Sequence, residues 1–263
     1  MFETIAYTVA DGVARVELNR PDRMNAISIQ MFKDLVAAGE AIKADNSVRV
    51  AILSGSNGNF CAGLDMENFT SGMLDDGFAP RTHGITNLYQ QVAWVWHELE
   101  VPVLAVVEGA CLGGGLQIIS GADMRYVSPK SKLSIRETYW GLVPDMAGTA
   151  LWGEFVRGDI LRELTYTARI FSGVEAEQYG FVTKLCDDPL AEALAVADAI
   201  VNKSPHTIRA CKRLLNNKDR LSAEEALLAE SIEQDALAGT PNQMEAVMAN
   251  MEKRAPNFVD VEG

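Results

Sequence analysis

The spacing of apolar positions changes period several times along the chain. Val13 to Leu18 alternates, with Ala14, Val16 and Leu18 on one face, and predicts a half-buried strand. The turn Asn19-Arg20-Pro21-Asp22 follows it. From Ser28 to Lys43, apolar residues at Ile29, Phe32, Leu35, Val36 and Ile42 predict an amphipathic helix. Arg49 to Ser54 and Val103 to Glu108 are near-continuous apolar, β-branched runs, the pattern of strands covered on both faces. Between them, Asn68 to Gly84 is rich in Gly, Asp and Ser and lacks periodicity. It reads as a mobile loop, with a helix predicted from about Ile85 to Leu99.

After Leu185 the pattern is helical throughout. Asp188-Pro189 and Ser204-Pro205 each set a capping residue before a proline at the first helical position. Ser222 with Glu225, and Thr240 with Gln243, have capping-box spacing. Leu190, Leu194, Ala197 and Val201 form one apolar stripe; Leu228, Ile232 and Ala236 form another. The expectation is an α/β fold with a core over residues 1–187 and a helical C-terminal region over 188–263, whose helices pack on a neighbour.

Two strand-to-turn stretches share one grammar: Phe60-Cys61-Ala62-Gly63-Leu64-Asp65-Met66, and Glu108-Gly109-Ala110-Cys111-Leu112-Gly113-Gly114-Gly115-Leu116-Gln117. Each follows a buried-strand run and ends where a helix can start. Glycine allows positive φ and close backbone approach, and a helix N-terminus presents unpaired N–H groups. Two such turns meeting at one point would hold a negatively charged oxygen between backbone donors, as an oxyanion hole does.

Composition narrows the chemistry further. Lys and Arg number 23 against 36 Asp and Glu, a net charge of −13, which argues against nucleic acid as a partner. Any anionic ligand must be held by a few local cations and backbone dipoles. There is no apolar run of membrane-spanning length, and Met1-Phe2-Glu3-Thr4 lacks the features of a signal peptide. Cys61, Cys111, Cys186 and Cys211 are widely spread, which suits reduced thiols and a cytoplasmic setting. Gly114 is followed by Gly115 and Leu116 where a P-loop needs Lys and Ser or Thr. His83, His97 and His206 share no metal-ligand spacing and there is no G-x-S-x-G elbow, so neither a metal site nor a serine hydrolase is expected.

The ordered set Leu18-Asn19-Arg20-Pro21, Asn25-Ala26, Phe60 to Asp65, Ala105 to Gly115, Ala122-Asp123, Gly141-Leu142-Val143-Pro144 and Gly148-Thr149 resembles the crotonase superfamily, the enoyl-CoA hydratases and isomerases. Glu175-Ala176, Gly180-Phe181-Val182, Pro205 and Lys212 continue it, so the likeness runs from about residue 5 to 258. It implies a spiral of ββα turns with a helical C-terminal trimerisation region, hence a homotrimer or a hexamer built as a dimer of trimers. It also implies an acyl-CoA thioester as substrate, with coenzyme A entering only as part of that substrate and no separate cofactor or metal. By the same resemblance the N–H groups of Leu64 and Gly114 form the oxyanion hole. Arg23 and Met24 flank coenzyme A, Ala62, Gly63 and Asp65 belong to its binding stretch, and Lys253 is a cation offered to a neighbouring subunit's ligand.

The acids decide the reaction. Hydratases of this family carry two glutamates. The first of those positions here is Gln117, an amide that can orient a substrate or a water but cannot take up a proton at neutral pH. The second is Glu137, and a further acid, Asp145, lies eight residues on, where dienoyl-CoA isomerases carry an aspartate. Those isomerases also carry an aspartate at the position of Gln117. The pair Glu137 and Asp145 suits proton removal at one carbon and delivery at another, with the hole stabilising the enolate. Three alternatives stand beside it: hydration by Glu137 alone, a thioester hydrolase or dehalogenase with Asp145 as nucleophile and His83 in a comparable loop, and a non-catalytic acyl-CoA-binding scaffold. Tyr139, Trp140, Trp94 and Trp96 are candidates to line the acyl path, with core packing the simpler role for each.

Overall fold

The computed structural model describes residues 2–70, 77–218 and 220–261. Among them nine strands form two sheets. The larger joins β1 (Ile5–Ala10), β2 (Val13–Leu18), β3 (Val50–Gly55), β4 (Val103–Val107), β6 (Met124–Val127) and β9 (Lys184–Leu185) in that spatial order, and the smaller joins β5 (Ala110–Leu112), β7 (Lys132–Ser134) and β8 (Phe171–Ser172). β1 and β2 are an antiparallel hairpin, with Ile5 opposite Leu18. Asp11 and Gly12 turn it at φ of 51° and 77°, the left-handed pair that a two-residue hairpin loop requires. From β2 onward the larger sheet is parallel. Val50 to Leu53 and Val103 to Val107 are buried along their whole length, as strands covered on both faces must be.

The helices are α1 (Ile29–Ala44), α2 (Leu88–Glu98), α3 (Gly114–Ser120), α4 (Gly148–Leu151), α5 (Gly158–Thr167), α6 (Gly173–Tyr179), α7 (Pro189–Val201), α8 (Pro205–Asn217), α9 (Ala223–Leu237) and α10 (Pro241–Glu252). From β4 the chain steps to β5 in the other sheet, then through α3 to β6 and on to β7. Single parallel bridges, Ile27 to Leu64 and Cys61 to Cys111, continue the second layer through the earlier turns. This is the α/β spiral of ββα turns expected.

Helix starts follow their caps. Ser28, Asp188, Ser204, Ser222 and Thr240 each accept the N–H three residues on. The box at Ser222 closes through Glu225, whereas Gln243 accepts from Gly239 and not from Thr240, so only half of the expected second box forms. α2 begins at Leu88, three residues later than predicted, because Asn87 and Gln90 form a capping box of their own. Of the predicted 68–84 loop, residues 71–76 lie outside the described residues. Asn68, by contrast, is buried and donates from Nδ2 to the Ile27 carbonyl at 2.7 Å, so it is part of the framework.

α7 packs on β3, β4 and β6 through Ala193 and Ala197, which completes the second face of the sheet. Leu194, placed in that stripe from spacing, points outward instead. α9 buries no residue within the chain; Leu228 and Ile232 are 59% and 60% exposed. No helix among the described residues is long and apolar enough to cross a membrane.

Candidate active site

The two glycine-bearing stretches lie side by side. The Phe60 N–H donates to the Glu108 carbonyl at 2.9 Å, Cys61 to Ala110 at 2.8 Å, and Leu112 back to Cys61 at 2.9 Å. On the other side Ile27 donates to Gly63 at 2.8 Å and Asp65 to Ile27 at 3.0 Å. Gly63 donates to the Cys61 sulfur at 3.3 Å, and Gly113 to Ser134 at 2.9 Å. The amides on both sides of Leu64, and that of Gly113 before Gly114, are thus engaged. The amides of Leu64 and Gly114 themselves donate to no protein acceptor among the described residues. Leu64 is in register with Ile27, whose bonds run to its neighbours Gly63 and Asp65, and Gly114 opens α3, where an N–H has no intrahelical partner.

Backbone conformation accounts for the glycines here. Gly113 stands at φ 50°, ψ −115°, a region closed to other residues. A Cβ on Gly115 would lie 2.8 Å from the Cys61 Cβ and 3.0 Å from its carbonyl oxygen, so the close approach of the two turns requires its absence. Cys61 and Cys111 are buried between them, and burial pushes the Cys61 thiol up to about 12. Both are inert fillers at neutral pH.

Leu64 and Gly114 border a cavity of about 690 Å³. Arg23, Met24, Ala62, Gly63, Asp65, Gln117, Glu137 and Asp145 border it too, so one space gathers the candidate acids, oxyanion-hole residues and coenzyme-side residues, with Lys253 outside it. Phe32, Phe78, Tyr89, Trp140, Leu142 and Met146 supply apolar wall. Of these only Trp140 was read as an acyl-path candidate; Trp94 and Trp96 are core, Tyr139 lies outside the lining, and so does His83.

Glu137 opens a short 3-10 turn after β7. Gln117 Nε2 donates to its Oε1 at 2.5 Å, while its Oε2 is buried without a hydrogen-bond partner. Burial raises the pKa of this carboxyl above its ordinary 4.5, against the lowering pull of the hydrogen bonds it accepts. Gln117 cannot be turned round, because its Oε1 accepts the N–H groups of Met146 at 2.9 Å and Gly148 at 3.1 Å. The amide therefore faces Glu137 as a fixed donor.

Asp145 is half-buried. Its Oδ1 accepts from Gln90 Nε2 at 2.5 Å and its Oδ2 from Asn87 Nδ2 at 3.5 Å. Sequence reading missed Asn87 and Gln90. Their signal was an Asn-x-x-Gln capping box, hidden because Asn stands at the cap where the usual pattern has Ser or Thr.

The coenzyme-side candidates divide. Arg23 is exposed and pairs with Glu67 at 2.8 Å, and Met24 is half exposed in a left-handed turn at φ 46°. Asp65 lines the cavity, but its carboxylate turns to Arg20 at 2.8 Å and to the Glu67 N–H at 3.2 Å. Burial works to raise its pKa, and these contacts, with Arg20 and Arg23 nearby, bring it below 3.8. Asp65 thus braces the loop more than it offers a free ligand group. Asn25, also missed as a working residue, is fully buried and ties this loop to the carbonyls of Ser56 and Asn59. Lys253 caps the end of α10, exposed and away from its own chain's cavity. No cluster of metal-ligating side chains occurs among the described residues.

The sequence matches the enoyl-CoA hydratase/isomerase family over residues 8–261. An enoyl-CoA hydratase of Mycobacterium tuberculosis is 31% identical over 248 residues, covering 92% of this chain and 91% of the relative. The mitochondrial Delta(3,5)-Delta(2,4)-dienoyl-CoA isomerase of Rattus norvegicus is also 31% identical, over 266 residues, covering 96% of this chain and 81% of the relative. In fold, an enoyl-CoA hydratase from Bacillus anthracis aligns with a TM-score of 0.89 at 24% identity, over 97% of this chain and 99% of that one. Relatives named as hydratases and as isomerases stand at the same distance from this chain.

Proposed function

Since this chain belongs to the enoyl-CoA hydratase/isomerase family and is an acyl-CoA-processing enzyme, we propose that it shifts a double bond in an enoyl- or dienoyl-CoA, with Glu137 and Asp145 carrying protons. The thioester oxygen sits between the Leu64 and Gly114 N–H groups. One carboxylate takes a proton from C2, and the electron pair of that bond runs into the conjugated system and onto the thioester oxygen. The other carboxyl group delivers a proton further along the chain, at C4 of a 3-enoyl or C6 of a 3,5-dienoyl substrate. Charge develops on one oxygen only, where two preorganised donors are worth most.

One observation carries this reading. Where a hydratase needs a second carboxylate beside Glu137, this chain has a Gln117 locked as a hydrogen-bond donor, and Asp145 is a further acid on the same cavity, held by amides and paired with no cation among the described residues. Arg23, Met24 and Ala62 would then hold the coenzyme A portion, and Lys253 of a second copy its phosphate, in a trimer or hexamer.

Hydration by Glu137 alone is the second reading, because the unpartnered Oε2 is a place for a water. A nucleophilic Asp145 fits less well: both its oxygens already accept from amides, and His83 lies outside the cavity. The test is incubation with 3-enoyl- and 3,5-dienoyl-CoA in deuterated water. Exchange at C2 must appear and must vanish in Glu137→Gln. Absence of exchange at every chain length, with crotonyl-CoA hydrated instead, overturns the proposal.

A further inference from the structure

The capping box at the start of α2 is built from two amides, and both spend their spare N–H groups on Asp145. Asn87 Oδ1 accepts the Gln90 N–H at 2.7 Å and Gln90 Oε1 accepts the Asn87 N–H at 3.3 Å, which is the cap itself. That leaves the two NH₂ groups. Gln90 Nε2 reaches Asp145 Oδ1 at 2.5 Å, and Asn87 Nδ2 reaches Asp145 Oδ2 at 3.5 Å and the Phe78 carbonyl at 2.8 Å. Arg81 Nη1 donates to Gln90 Oε1 at 2.7 Å and its Nη2 to the Phe78 carbonyl at 2.8 Å.

A capping box closed by an ionised Glu could offer no donor to a carboxylate from that position, whereas Gln90 can. Asn and Gln satisfy the helix start equally well and keep donors to spare. The carboxylate they grip comes from a loop more than fifty residues away in sequence, on the same cavity as Phe78 and Tyr89.

We infer that Asn87 and Gln90 are positioning residues for Asp145, holding its carboxylate at a set place on the cavity wall and linking it to the Phe78 segment. The inference rests on the reading of Asp145 as a proton carrier. Placement matters because a shift of about 1 Å in a reacting group can lower a rate about a hundredfold.

The test uses Gln90→Glu and Asn87→Asp in the full-length protein. Each variant keeps an acceptor for the cap, so the helix start survives, but removes a donor to Asp145. With 3,5-dienoyl- or 3-enoyl-CoA we expect kcat to fall about tenfold or more, KM to stay within about twofold, and the melting temperature to hold. In an Asp145→Asn background the same changes should have no further effect, since residues acting through one group are not additive. A Gln90→Glu enzyme with full kcat, or a loss that persists undiminished beside Asp145→Asn, overturns the inference. If Asp145→Asn alone leaves turnover intact, it is the proton-carrier reading that fails.

Discussion

Gln117 and Glu137 meet at 2.5 Å, amide nitrogen to carboxylate oxygen, and two backbone N–H groups on the far side of Gln117 dictate which end of the amide faces the acid. A single-atom difference, NH₂ for O, therefore sets the chemistry available to Glu137. The partner can donate to its charge but can never hold a proton for it.

Gln117→Glu is the direct probe of that relationship. The new carboxylate would keep the Met146 and Gly148 N–H groups on one oxygen and offer the other to Glu137 and a water. We expect hydration of crotonyl-CoA, followed by loss of the enone absorbance, to rise by about tenfold or more, while C2 exchange without hydration declines. No gain in hydration would mean that the amide is not what withholds that reaction.

Glu137→Gln should move activity and stability in opposite directions. Loss of the proton carrier should lower isomerisation by about 10²–10⁴. The carboxyl has a raised pKa in the fold, so it holds its proton more tightly there than in the unfolded chain. Its favourable contribution is full below the ordinary 4.5 and is lost as pH rises through the folded value. At pH 7 the wild type therefore carries a buried charge that the Gln variant lacks. The variant should melt higher at pH 7, and its advantage should shrink as pH approaches 4; an unchanged difference across that range would contradict the burial argument.

Gly113→Ala tests the hole through the backbone alone. An added Cβ would have room, its nearest neighbour being Glu137 Oε1 at 3.5 Å, so any damage comes from forcing a side chain to φ 50°, ψ −115°. Strain of about 1–3 kcal/mol is expected. If the loop relaxes by moving the next amide, that of Gly114, kcat should drop by about 10²–10³. Gly58→Ala, at φ 67° with nothing within 4 Å, is the control and should leave the rate untouched.

Asp65→Asn addresses the brace beneath the coenzyme side. Its depressed pKa means that the pairing with Arg20 contributes stability above about 3.8 and loses it as pH falls through the lower folded value. The variant should be less stable than wild type by about 2 kcal/mol at pH 7, with the gap closing in denaturant melts as the pH falls below 3.8. A gap that stays constant with pH would assign the effect to packing.

Assembly is open to measurement on the same footing. With Leu228 and Ile232 well over half exposed on α9, and Met251 77% exposed at the end of α10, we expect sedimentation at three or six times the 28.6 kDa chain. Paired substitution of Leu228 and Ile232 by Glu should dissociate it. A monomeric wild type would remove the role proposed for Lys253.

Periodicity was legible where burial imposes it. The runs at Val50 and Val103 had to be two-sided strands, and Pro189 and Pro205 had to sit at helix starts. The meeting of the two glycine-bearing turns was legible because glycine at positive φ leaves a mark in the sequence. Gln90 and Asn87 were not, because a capping box says where a helix starts and nothing of what its spare hydrogens reach across space. The partner of Asp65 was not legible either: it lies in the expected stretch and on the cavity, but its carboxylate pairs with Arg20, forty-five residues earlier. Leu194 was assigned inward from spacing, yet the small side chains Ala193 and Ala197 are the ones that let α7 lie close on the sheet.

The rungs between Phe60–Cys61 and Ala110–Leu112 are made by main chain only. Apart from Gly115, which permits the approach, and Asn59, whose Oδ1 accepts the Ala110 N–H at 3.0 Å, that ladder owes nothing to side chains, so natural variation can rewrite the acids, amides and aromatic wall around it without disturbing the rungs. On such a scaffold one reaction can be traded for another by point substitution, and under the function proposed residue 117 is where that trade is made.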